Sequence, residues 1–99
     1  MADVKCIVTH SAGIERLGEF EINEMDAVET RINDTEIHVT RKRVSVSGGL
    51  SVVGLLFGPR GLDCKMDVFV GPNKINEDGP IKADYKSRAE CYLFNWSKR

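Results

Sequence analysis

The stretch from Val44 to Val70, VSVSGGLSVVGLLFGPRGLDCKMDVFV, constrains the fold more than any other part of the chain. It holds three apolar runs separated by Gly48-Gly49 and by Gly58-Pro59-Arg60-Gly61. A glycine pair tolerates the positive φ of a two-residue hairpin, and proline followed by glycine suits a type I or II turn. The spacing predicts a three-stranded antiparallel meander in which Ser47 opposes Leu50 and Phe57 opposes Leu62. Both registers put Val44, Val46, Val53, Leu55, Phe57, Leu62, Cys64, Met66, Val68 and Val70 on one face. The other face carries Arg43, Ser45, Ser47, Asp63, Lys65 and Asp67, with Leu50, Val52, Leu56 and Phe69 as apolar exceptions. Those four need cover from another sheet, a helix or a second molecule.

The flanking segments extend the β pattern. Val4 to Thr9 alternates as a first strand. Ile14 to Ile22 places Phe20 and Ile22 opposite Glu19 and Glu21, and a bulge at Gly18 would bring Leu17 onto the Phe20 face. Asn23 to Ile32 leaves two readings open. Asn23 can cap a short helix with Met25, Val28 and Ile32 on one stripe. Alternatively Val28 to Ile32 is a strand turning at Asn33-Asp34 into Thr35 to Thr40. Ile37 and Val39 have the opposite parity to Val44 and Val46, so Arg41-Lys42-Arg43 is expected to hold a bulge, with the three bases outside. Gly71 to Pro80 reads as a surface loop, and Ala89 to Trp96 as a last strand with Tyr92, Phe94 and Trp96 on one side.

One domain is the default for 99 residues, with 41% hydrophobic and 29% charged content typical of globular proteins. No apolar run approaches the roughly 18 residues that span a bilayer, so no membrane partner is expected. The N-terminus, MADVKCIVTH, lacks the pattern of a signal peptide, and a cytoplasmic location is the expectation. Three widely spaced cysteines, Cys6, Cys64 and Cys91, fit buried reduced thiols. The alternative is a single Cys6–Cys91 bridge.

Chemistry-bearing motifs are sparse. His10 and His38 are the only histidines. No nucleophile elbow, HExxH or phosphate-loop pattern is present. Asp63 and Asp67 would lie roughly 13 Å apart along a strand, too far to chelate one ion. No catalytic residue, metal ligand or cofactor is therefore assigned, and a small enzyme is the third-ranked reading.

Net charge is −1, but its distribution is uneven. Eight acids and two bases lie between Glu15 and Glu36, and Arg41-Lys42-Arg43 follows directly. Those bases, with Arg60 at a turn tip, are the candidate contacts for nucleic acid or another anion. Leu50, Val52, Leu56, Phe69, Tyr92, Phe94 and Trp96 are either the core between two sheets or a protein interface.

The sequence thus predicts a mainly β single domain over 1–99. The expected form is an antiparallel sandwich or partly open barrel of six to seven strands built on the 44–70 meander, with room for one short helix near 24–32. The leading functional expectation is a non-enzymatic protein-binding or assembly protein, through a protein partner or self-association. A nucleic-acid or anion binder is the alternative.

Overall fold

The computed structural model describes residues 1–99 and contains strands only. They are β1 (Ala2–His10), β2 (Arg16–Ile22), β3 (Met25–Asp26), β4 (Val28–Asn33), β5 (Glu36–Val44), β6 (Leu50–Phe57), β7 (Cys64–Val70), β8 (Asn73–Lys74), β9 (Ile81–Lys82), β10 (Asp84–Lys86) and β11 (Cys91–Lys98). Two antiparallel sheets pack face to face as a sandwich. The first runs β4-β5-β1-β7, with β8 and β9 both along the free side of β7. The second runs β10-β11-β6-β2-β3. No helix is long and apolar enough to cross a membrane.

The sandwich is as expected, but the meander is not. β5, β6 and β7 follow one another in the chain, yet none pairs with another. β5 and β7 flank β1 in the first sheet, while β6 lies between β11 and β2 in the second. Both glycine-rich turns carry the chain across the core from one sheet to the other. β6 is apolar on both sides, so its alternation does not say which side faces inward. The hairpin registers selected Val53, Leu55 and Phe57, whereas Leu50, Val52 and Leu56 are the buried set. The inward side of β7, Cys64, Met66 and Val68, is as expected.

The helix near 24–32 is replaced by two strands and a crossing. Asn23 and Glu24 both have positive φ, 49° and 64°, and form the tight turn between β2 and β3. Ala27 then passes from the second sheet to the first, and β4 turns back into β5. Asn23 does not cap a helix. Its side-chain amide donates to the carbonyls of Ser45 (3.0 Å) and Gly49 (3.3 Å), and its Oδ1 accepts from the Ser51 amide (2.7 Å). One residue thus ties the β2–β3 turn to the β5–β6 crossover. Val28, Thr30 and Ile32 are β-branched and favour the strand reading.

Two irregularities are where the sequence places them. The β2–β6 register shifts between Leu17 and Phe20, which sets Leu17 opposite Leu56 and Phe20 opposite Gly54. β1 and β5 shift between Ala2 and Val4, and Arg43 sits at φ 58° in the bulge. That extra residue reverses the parity, so Ile37, Val39 and Val44 are all buried.

The core combines Val4, Cys6, Val8, Ile37, Val39, Met66 and Val68 of the first sheet with Phe20, Ile22, Val52, Leu56, Tyr92 and Phe94 of the second. The segment 71–80 is not a free loop. Asn76 is buried; its Oδ1 accepts from the Val68 amide (2.9 Å) and its Nδ2 donates to Asp67 and to the Gly79 carbonyl. It thereby satisfies the edge of β7 between the stretches paired with β8 and β9.

Candidate interaction surface

The seven residues considered as an interface do not form one. Leu50, Val52, Leu56, Tyr92 and Phe94 are buried between the sheets, so of the two readings the sequence left open they take the core and not the interface. The first sheet, packed against β6 and β11, supplies the cover that the sequence left open. Trp96 is half-buried against the same core, and half-buried Phe69 lies opposite Lys5 and Lys74 on the outer side of the first sheet. Tyr92 has a structural task at its polar end. Its hydroxyl donates to the Pro59 carbonyl and accepts from the Leu62 amide (2.8 Å), pinning the β6–β7 crossover.

The outer side of the second sheet presents the apolar surface instead. Alternation along β6 turns Val53, Leu55 and Phe57 away from the core. Cross-strand pairing sets Leu93 beside Leu55 and Cys91 beside Phe57. Val53 is 38% exposed, Leu55, Phe57 and Leu93 are half-buried, and Cys91 is buried. On the β2 side, a bulge narrows the sheet at Gly18, where an added Cβ would meet Leu55 at 2.7 Å and Phe57 at 2.9 Å. The Arg16 guanidinium stacks over the Phe57 ring at 3.7 Å. Glu21 flanks Val53 on that side, while Asp84 and Lys86 on β10 oppose Leu93 and Cys91. The result is a narrow, partly covered apolar stripe bordered by charges of both signs. The sequence carried its signal in the two-sided apolar character of β6, which the meander register absorbed into the core.

The four candidate anion contacts do not converge. Arg41 turns toward the seam between the sheets, where its Nη1 donates to the Asp26 carbonyl. This corrects the expectation that all three bases point outward. Lys42 and Arg43 are exposed at the bulge beside the start of β1. Arg60 lies beyond the far end of β1, 5.1 Å over the Tyr85 ring. Nine extended residues separate these two ends by roughly 25–30 Å. An open hollow of about 600 Å³ beside Gly48-Gly49 is lined by Ser45, Ser47, Ser51 and Ser97. Lys98 at its rim donates to the Ile75 carbonyl at 2.9 Å and lies 3.6 Å from Glu77.

The histidines and cysteines are placed as follows. His10 and Cys64 are cross-strand neighbours, both buried at one end of the core. His10 Nδ1 lies 2.8 Å from the Ser11 carbonyl, so Nδ1 carries the proton; Nε2 is buried with no partner. Burial and the Asp63 charge push the Cys64 thiol up to about 11, so it is not a thiolate at neutral pH. His38 bonds Glu36 at 2.6 Å on the outer side of the first sheet, between Thr30 and Ile7. Cys6, Cys64 and Cys91 are free and buried. Cys6, on β1 of the first sheet, and Cys91, on β11 of the second, are both free, so the bridge considered between them is absent. No three of His, Cys, Asp and Glu are grouped to hold a metal ion.

No family model, no curated protein and no solved structure matches this chain.

Proposed function

We propose that the chain is a non-enzymatic protein-binding module that docks a partner protein on the outer side of its second sheet. One observation supports this reading: exposed Val53 and half-buried Leu55, Phe57 and Leu93 line the outer side of a sheet whose other side already forms the core. Apolar area of this kind gains stability when a partner removes it from water. The flanking Arg16, Glu21, Asp84 and Lys86 would set orientation more than affinity.

Val53→Lys tests the proposal, because Val53 is exposed and touches the core least. The variant should keep the wild-type melting transition and lose partner binding by about tenfold or more. The comparison uses proteins retained by the immobilised wild-type chain, then measured individually against Val53→Lys and against Lys5→Glu on the other sheet. Affinity unchanged by Val53→Lys would remove the stripe from the interface.

A further inference from the structure

β4 is the free edge of the six-stranded sheet; it pairs with β5 on one side and with nothing on the other. Five of its six residues are exposed. Two of the chain's few exposed large hydrophobic residues are here, Val28 at 64% and Ile32 at 48%. An edge of this length with unpaired amides and carbonyls is a template for another strand.

The order of side chains along β4, Val28-Glu29-Thr30-Arg31-Ile32, is complementary to itself when read backwards. The geometry points to a homodimer in which β4 pairs antiparallel with β4 of a second copy, across a two-fold axis through Thr30. In that register Val28 opposes Ile32 of the second copy, Glu29 opposes Arg31, and Thr30 opposes Thr30. Each apolar and each charged pair occurs twice, as an isologous interface requires. Neighbouring registers lose this match. A slip of one residue sets Glu29 against Ile32 or against Thr30, and a slip of two sets Arg31 against itself.

Glu29 is positioned for its part. Its Oε1 accepts from the Phe20 amide at 2.8 Å, which holds the carboxylate on the side of β4 away from Val28. Arg31 projects from that same side by alternation and is exposed. Inward charges and the bulge at Ile32 normally discourage strand addition. In the two-fold register the charges instead satisfy one another, so the same residues that reject other strands accept this one. The surface is separate from the Val53 stripe and lies in the other sheet, so the dimer does not depend on the proposed partner site.

Sedimentation of the full chain over a wide concentration range is the test. The mass should rise with concentration from the 11.0 kDa monomer towards twice that value. Arg31→Glu should weaken association by about tenfold or more, because it sets acid against acid twice. Glu29→Lys should do the same by setting base against base. An equimolar mixture of the two variants should restore dimers, as heterodimers only. Thr30→Cys should form a disulfide-linked dimer on mild oxidation, since directly opposed Cα atoms fall within disulfide range. A monomer at every concentration overturns the proposal. So does a dimer that Arg31→Glu leaves intact, or one that Val53→Lys abolishes. Circular dichroism of each variant separates lost association from lost folding.

Discussion

The ring of Phe20 occupies the space above Gly54. A Cβ at position 54 would meet three atoms of that ring at 2.1–2.5 Å. Gly54 lies directly between Phe20 on β2 and Phe94 on β11 in the cross-strand row, and the two rings stand 6.1 Å apart. The missing side chain in the middle strand is what lets an aromatic from the edge side reach the centre of the core.

Gly54→Ala should therefore destabilise the protein by about 3 kcal/mol, because a packed aromatic must move. Gly48→Ala is the control. Nothing lies within 4 Å of its added methyl, so it should be neutral or stabilising by about 0.5 kcal/mol. Urea midpoints of the two variants decide this; equal midpoints would show that Phe20 yields freely.

Asn23→Ala should cost about 2–3 kcal/mol in the same assay. It removes three hydrogen bonds across the β5–β6 crossover and leaves a non-glycine residue at φ 49°. Asn23→Gly relieves the second cost and should recover about 1 kcal/mol of the loss. If both variants fall equally, the backbone conformation contributes nothing.

Tyr92→Phe should lose about 1–3 kcal/mol, since the Leu62 amide and the Pro59 carbonyl both lose their partner while the ring still packs. Hydrogen exchange at Leu62 reads the effect locally. An unchanged rate there would mean that water replaces the hydroxyl without penalty.

Alkaline pH should destabilise the chain through its buried thiols, Cys6 most and Cys64 to a lesser extent. Burial pushes the Cys6 thiol from 9.0 up to about 12, so between those values the folded chain keeps a proton that the unfolded chain releases. Stability is then complete below pH 9 and falls as pH rises towards 12, by up to about 4 kcal/mol. Cys6→Ala should be less stable at neutral pH but show a flatter decline over this window. A decline as steep as wild type would assign the alkaline loss to other groups.

The sequence and the structure agree wherever a strand buries only one side. β7 alternates cleanly, and its inward set Cys64, Met66 and Val68 was readable from spacing. The parity reversal between Val39 and Val44 required a bulge, and the bulge lies among Arg41, Lys42 and Arg43. Tyr92 and Phe94 were placed on one side of the last strand, which is the inward side. β6 is where spacing failed. Its residues 52–57 are apolar on both sides except at Gly54, and a local turn rule then chose the wrong side. The candidate surface follows from that reversal, since Val53, Leu55 and Phe57 face outward because Leu50, Val52 and Leu56 face inward.

The sequence by itself determined that the chain is β-rich, where most of its strands lie and where two of its bulges must fall, because alternation and parity act over a few residues. Only the tertiary structure decided which strands are neighbours. A tight turn joins strands equally well side by side or across a core, and the choice rests on contacts far apart in the chain: β1 between β5 and β7, Phe20 over Gly54, and Asn23 holding Ser51.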